Sequence, residues 1–283
     1  MSQYTSIKEF CIVWCWKPIG STPGECIDYI TKISYDDNLT RLLNDTNNRI
    51  SFACRLDPMA CGILPIVIAN QKKIKNICEG LQNCFKVYTF SVIKGIRTDS
   101  CDILGMITKS NDVELKLEEI SKKEAQKYPI YSSKTIKDPK SGKMRKLFEF
   151  ANENRVGEIK DIIPSHPIEI KYIKQINKET KTGQELIEYI NISIDILKTG
   201  EFRINDIKKS WSDGIDLSNN YEILSFEAKV SSGTYIRGLA DDMGGTAFDI
   251  CRIEICDKYP TKEMTPNYYT KMMNFPKIIK IIS

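Results

Sequence analysis

Apolar residues come in short, dense runs along this chain, and their spacing predicts buried strands alternating with short helices. Residues 10–16 form an almost unbroken apolar run, a buried strand that ends at the turn signal Lys17-Pro18-Ile19-Gly20. The next segment, Ser21-Thr22-Pro23-Gly24-Glu25, is a helix start with Thr22 as N-cap and Pro23 in the first helical position. That helix is expected to run to about Ile33. Residues 63–69 (ILPIVIA) are too short and too β-branched for a helix and predict a second buried strand. Residues 74–81 read as a helix, and residues 85–93 as a strand closed by Gly95.

The second half of the chain is more polar. Residues 114–127 are charged and helix-like, residues 146–153 open a helix, and residues 168–176 read as a strand. Residues 177–220 are lysine-rich with few turn anchors and look like an insertion. A strand is expected over 224–230, with a bend or bulge at Ser231-Ser232-Gly233 before it resumes to Arg237. Residues 239–250 read as a helix interrupted at Gly244-Gly245, and residues 252–256 as a last strand. There is no internal repeat, no regular βαβ rhythm, no G-x-G-x-x-G and no P-loop, so the expected class is α+β with a large mixed sheet.

Composition narrows the function classes. The 283 residues suit one large domain or two modest ones, and 41% hydrophobic content is enough for a sizeable core. The balance of 41 basic against 37 acidic residues gives +4, too mild to identify a partner, so local charge matters more. Of thirteen positions in 134–146, six are basic and one is acidic, with Pro139 and Gly142 marking a basic loop. The ten cysteines form no C-x-x-C, and the only histidine, His166, is remote from any cysteine pair. A zinc site is therefore not expected, and the thiols read as free and buried in a reducing compartment. The N-terminal residues lack a signal-peptide core, and no run reaches the ~18 apolar residues of a membrane span. The expectation is an intracellular, cytoplasmic protein.

Three separated segments carry candidate chemistry. In Arg55-Leu56-Asp57-Pro58-Met59-Ala60-Cys61-Gly62 a carboxylate sits among apolar residues, although Asp before Pro is also an ordinary turn cap. In Lys86-Val87-Tyr88-Thr89-Phe90, the lysine and both aromatics share one strand face. That face could meet phosphate and base together, or be a plain amphipathic edge. In Ser232-Gly233-Thr234-Tyr235-Ile236-Arg237-Gly238, Tyr235 and Arg237 would share a strand face. A guanidinium flanked by apolar residues needs a carboxylate or phosphate, unless its stem merely snorkels to the surface.

Together these segments resemble the TruB-type family of tRNA pseudouridine synthases, in the family's order. Lys17-Pro18-Ile19-Gly20 is similar to K-P-x-G, residues 56–65 to L-D-P-x-A-x-G-x-L-P, and Lys86-Val87-Tyr88 to K-x-Y. Thr98-Asp99 with Asp102 and Gly105 is similar to T-D-x-x-D-x-x-G, and residues 129–134 to P-x-Y-S-A-x-K. Residues 233–237 match G-T-Y-I-R, and the resemblance spans residues 12–259.

The resemblance implies a pseudouridine synthase catalytic fold, in which a large, mainly antiparallel mixed sheet is flanked by helices and carries an RNA-binding loop. The catalytic domain would span 1–260, with a thumb-like basic loop at about 134–150, a lineage-specific insertion at about 177–220, and a tail over 261–283. It further implies base flipping, with Asp57 as the essential carboxylate, Arg237 paired to it and Tyr88 stacked on the uracil of a T-loop uridine. Ile250 would pack the other face of the base and Tyr235 would shape the pocket, with Lys86, Lys17 and Lys134 as supporting contacts. The implied partner is the tRNA T-arm, with no cofactor or metal, no protein partner and a monomeric state. Alternatives are a synthase acting on rRNA or mRNA, and a tRNA-binding folding helper with dispensable activity.

Two features depart from the family pattern. Phe52 stands where the family has a histidine in an RNA-facing loop that helps the base flip, and Arg55-Leu56-Asp57 is similar to the R-L-D of the RluA-type synthases. Only 24 residues follow Tyr259, too few for the PUA domain that many members carry, so none is expected.

Overall fold

The computed structural model describes residues 9–33, 37–108, 114–197, 203–255 and 277–282. In chain order its first elements are β1 (Phe10–Lys17), α1 (Pro23–Lys32), α2 (Asp37–Asn44), β2 (Asn48–Phe52), β3 (Ala60–Asn70) and α3 (Gln71–Gln82). Then come β4 (Lys86–Lys94), β5 (Arg97–Thr98), β6 (Ile107–Thr108), α4 (Leu117–Ser121), β7 (Ala125–Lys127), β8 (Thr135–Lys137), β9 (Met144–Lys146) and α5 (Leu147–Asn152). The remainder are β10 (Ser165–Pro167), β11 (Ile170–Thr182), α6 (Gly183–Asp195), α7 (Ile204–Gly214), β12 (Asn220–Val230), α8 (Ile236–Asp242), β13 (Gly245–Ile255) and β14 (Lys277–Ile282). The chain forms two compact units, Met1–Val87 with Ile196–Lys198 and Cys251–Ser283, and Tyr88–Asp195 with Thr199–Ile250.

In the first unit β1 is central. It pairs antiparallel with β3 from Phe10↔Ala69 to Lys17↔Gly62, and along its other edge with β14. β2 also pairs antiparallel with β3, ending at Phe52↔Ile66. The unbroken apolar runs have a simple cause: both faces of this sheet are covered. Cys11, Val13 and Cys15 pack with Cys26 and Ile30 of α1 and Leu39 and Leu42 of α2. Ile12 and Trp14 pack on the opposite face with Ile74 and Leu81 of α3 and with Ile255. Each such side chain contributes about 1.5–3 kcal/mol by burial. Helix α1 starts as expected: Thr22 accepts from the Glu25 N–H, and Glu25 accepts from the Thr22 N–H, a capping box. Helix α3 begins directly at the end of β3, capped by Asn70 on the Lys73 N–H. Residues 277–282, expected as tail, are strand β14.

In the second unit β11 and β12 form a long antiparallel pair, from Ile170↔Val230 to Thr182↔Asn220. The α+β class with a large, mainly antiparallel sheet flanked by helices therefore holds. Several sequence expectations for this unit are corrected. Residues 114–127 give only the short helix α4 and strand β7. Residues 134–146 are a hairpin of β8 and β9, closed where Asp138 accepts from the Lys140 N–H and the Ser141 hydroxyl while Gly142 sits at φ +70°. Independently of the insertion reading, residues 177–220 hold the end of β11 with α6 and α7. Their apolar residues Leu186, Ile190, Ile194, Ile207 and Trp211 are buried, and the Trp211 indole donates to the Gly105 carbonyl at 3.0 Å.

The strand expected to resume after Ser231 does not resume. The chain turns through Gly233 at φ +85° and enters α8, in which Ile236, Arg237, Leu239 and Ala240 are buried. Three residues of apolar alternation fit the first turn of a helix as well as a strand, so the pattern could not separate them. The helix expected over 239–250 ends by residue 242. Gly244, at φ +74°, terminates it, and Gly245 opens β13 where an added Cβ would collide with the Ile93 carbonyl. Among the described cysteines eight form no disulfide, but Cys84 is disulfide-bonded, which corrects the expectation of free thiols throughout. No described helix is long and apolar enough to cross a membrane.

Candidate active site

Asp57 lies in the short connection between β2 and β3, in the first unit. The path of this connection is set by side chains that bind its backbone. The Ala53 N–H continues the ladder to the Pro65 carbonyl, and Cys54 then turns the chain at φ +59°. Arg252, only 1% exposed, donates from Nε to the Ile63 carbonyl at 2.9 Å, and from its two Nη atoms to the carbonyls of Arg55 and Cys54. After the aspartate, the Gly20 N–H holds the Pro58 carbonyl at 2.9 Å, and the Ala60 N–H holds the Asp57 carbonyl at 3.0 Å. Lys17, fully buried, donates to the carbonyls of Ala60 at 2.7 Å and Pro18 at 3.1 Å. The backbone thus spends its acceptors on buried cations, and the Asp57 side chain is left half-buried.

Burial pushes the Lys17 ammonium down to about 8, against the opposing pull of Cys26, Cys61 and Asp57, with Arg252 adding to the depression. Lys86 is buried as well and donates to the carbonyls of Gln82 and Cys84, at and just beyond the end of α3. Desolvation lowers it too to about 8, opposed by Cys54 and aided by Arg252. Lys17 and Lys86 therefore address backbone carbonyls rather than an exposed surface. Phe52 is the last residue of β2, half-buried against the cluster under α1 and α2, and so belongs to a strand and not to a loop.

Tyr88, Arg237, Tyr235, Ile250 and Lys134 belong to the second unit. Tyr88 is buried on β4, and Ile250 is buried on β13. Arg237, 3% exposed in the first turn of α8, donates to the Ser100 carbonyl at 3.0 Å and the Tyr131 carbonyl at 2.8 Å. Tyr235 is the N-cap of α8, and its ring lies under the Arg237 guanidinium at 5.6 Å. They are neighbours because of a helix start, not because they share a strand face. The Lys134 ammonium sits 4.8 Å over the Tyr128 ring.

The sequence reading gave no role to several residues around these groups. Asp99 takes an ion pair from Arg203 at 2.8 Å and faces the Tyr131 hydroxyl, which burial first and Asp99 second push up to about 12. Arg97 pairs with Asp241 at 2.8 Å. Gln126 and Arg252 bind backbone atoms distant in sequence. The one signal for Arg252 was a lone arginine inside an apolar strand, Ile250-Cys251-Arg252-Ile253. The basic hairpin is also less free than its composition suggested. Arg145 pairs with Glu149 and Glu153, and Lys140 pairs with Glu158.

Asp57 thus stands on an ordered loop of a mainly antiparallel α+β scaffold. Residues 41–236 match the family model described as TruB family pseudouridylate synthase (N terminal domain). The chain belongs to the TruB family. It is similar to the tRNA pseudouridine synthase B of Caldicellulosiruptor saccharolyticus, with 26% identity over 80% of this chain and 58% of that protein. It is also similar to the tRNA pseudouridine synthase B of Clostridium novyi, with 31% identity over 84% of this chain and 65% of that protein. The chain thus spans about three fifths of the length of these relatives. Among solved structures, it aligns with an H/ACA ribonucleoprotein bound to a substrate RNA containing 2′-deoxyuridine, with a TM-score of 0.40 and 14% identity over 96% of this chain and 60% of that one.

Proposed function

We propose that this chain carries the catalytic domain of a tRNA pseudouridine synthase that isomerises the T-loop uridine at position 55 in the cytoplasm. The reaction breaks the C1′–N1 glycosidic bond, turns the uracil and joins C5 to C1′. The C5 proton leaves and N1 ends protonated, so the change is an isomerisation that consumes no cofactor. Asp57 is the essential carboxylate and Tyr88 stacks on the extruded uracil, with Arg237 as a further group of the catalytic machinery. Ile250 and Tyr235 shape the apolar pocket, and the 134–150 hairpin meets T-arm phosphates.

The observation that carries this reading is the loop itself. Within the family-matched region, Asp57 sits half-buried on a backbone held at Cys54, Arg55 and Ala60 by the buried Arg252 and Lys17, and at Pro58 by the Gly20 N–H. That is a rigid mount for one reactive group. The test is conversion of uridine to pseudouridine in a T-arm stem-loop by the purified chain, read by mass-tagged pseudouridine mapping. Asp57→Asn should reduce turnover by at least about 10²–10⁴-fold, the range expected when a positioned acid–base group is lost. Equal yields from both proteins would remove Asp57 from the chemistry, and tagging confined to rRNA or mRNA would redirect the substrate.

A further inference from the structure

We propose that Gln126 is a positioning residue that fixes the start of α8 and so aims the Arg237 guanidinium. The inference rests on the reading of Arg237 as part of the catalytic machinery.

Helix α8 begins at the N-cap Tyr235, whose side chain makes no capping hydrogen bond. Most helices satisfy the exposed N–H groups of this end locally, by an N-cap side chain or by a glutamate three residues on that reaches back to the N-cap N–H. Here the function is supplied from a distant strand. The Gln126 side-chain carbonyl accepts from the Tyr235 N–H at 2.8 Å, and its amide nitrogen donates to the Tyr235 carbonyl at 3.0 Å. One side chain thus grips both polar groups of a single residue. Gln126 is itself buried, so neither bond competes with bulk water.

The strand that carries Gln126 is braced by a second contact to the same turn. β7 pairs with β10 so that Gln126 stands opposite His166. His166 donates from Nε2 to the Gly233 carbonyl at 3.0 Å, and its ring stacks on Tyr128 at 4.2 Å. A cross-strand pair therefore holds the G-T-Y-I-R turn at two points, Gly233 and Tyr235, immediately before Arg237. Gly238 completes the fit: an added Cβ there would lie 2.6 Å from the Gln126 amide nitrogen. Glycine within the first turn of a short helix is otherwise unfavourable, and here it leaves room for the glutamine.

Two variants and two readouts test this. Gln126→Met keeps the length of the side chain and removes both bonds. Gly238→Ala keeps Gln126 but pushes its flexible end away. In both, hydrogen exchange at the Tyr235 amide should rise at least about tenfold, with exchange in β12 unchanged, because only a local opening is made easier. On a T-arm stem-loop, kcat should fall about tenfold or more with KM within about twofold, since a displaced catalytic group costs turnover before binding. Gln126→Glu, which keeps the acceptor for the Tyr235 N–H, should recover part of the lost kcat. Unchanged exchange at Tyr235 in both variants would overturn the clamp. Raised exchange with unchanged kcat would overturn its catalytic consequence. A wild-type protein that forms no pseudouridine would instead overturn the assignment of Arg237, and the exchange measurement alone would then decide the clamp.

Discussion

Replacing Arg252 by methionine should both destabilise the protein and disable it, and the two effects can be separated. The side chain is almost wholly buried and binds three backbone carbonyls, those of Ile63, Arg55 and Cys54. Hydrogen bonds from a charged donor contribute about 1.5–3 kcal/mol each, which gives a gross loss of roughly 4–9 kcal/mol. Part of this is offset, because holding a guanidinium out of water itself costs several kcal/mol. A net loss of about 3 kcal/mol follows, and for a protein of this size it lowers Tm by about 6–12 °C. The catalytic effect should exceed the thermal one. Two of the three carbonyls lie directly before Leu56-Asp57, so losing them frees the carboxylate's mount. Turnover measured about 20 °C below both melting points should therefore still fall at least tenfold, equivalent to about 1.4 kcal/mol in the barrier. Arg252→Lys retains the charge but not the planar fork, and should recover only part of each loss. Thermal unfolding monitored by circular dichroism, beside single-turnover kinetics on the stem-loop, makes the measurement. A methionine variant with Tm within about 2 °C of wild type and unaltered turnover would refute the claim that Arg252 holds the loop.

Four further outcomes are expected. Lys17 titrates near 8 when folded and near 10.5 when unfolded, so between these values the unfolded chain binds more protons and stability rises with pH, by up to about 3 kcal/mol for this one group. Urea denaturation at pH 7.5 and pH 10 should show that rise shrinking in Lys17→Met, and parallel profiles would contradict it. Gly62→Ala, at φ +120° and with its Cβ 2.2 Å from the Arg252 carbonyl oxygen, should cost about 2–5 kcal/mol of strain and overpacking. A wild-type urea midpoint would show that the backbone yields more easily than this. Lys137 and Lys143 have no acidic partner among the described residues, so alanine at either should weaken T-arm binding and reduce the log–log salt slope by roughly 0.7–0.9. Arg145→Ala should act through stability instead, because its carboxylate partners Glu149 and Glu153 hold the hairpin to α5.

What the sequence made legible follows from where each element's partners lie. β1 and β3 were readable because both faces of each are covered, which turns strands into continuous apolar runs, whereas β4 was readable by its alternation. α1 was readable to the residue because its capping box is local, three residues wide. The turn into α8 was misread because its helix is seven residues long, too short for periodicity to accumulate. β14 escaped because residues 277–282 alternate poorly and gain their place only by pairing with β1. Asp57 and Arg237 were named through motif resemblance, whereas Gln126 and Arg252 were given no role. Both bind backbone atoms more than a hundred residues away, and a backbone carbonyl leaves no mark on the sequence that supplies it.

That asymmetry bears on the departure at Phe52. If the Asp57 loop were shaped by its own neighbours, a phenylalanine in place of the family histidine would be expected to redirect it. The chain path there is fixed by other means. Phe52 pairs with Ile66, the Ala53 N–H bonds to the Pro65 carbonyl, and Arg252 and Lys17 hold the carbonyls on either side of the aspartate. None of these contacts depends on the identity of the side chain at 52. A different side chain at 52 should therefore alter the apolar packing beneath β2 without moving the carboxylate. The path of this short segment is thereby set by backbone carbonyls gripped from beneath, and not by the side chain at position 52.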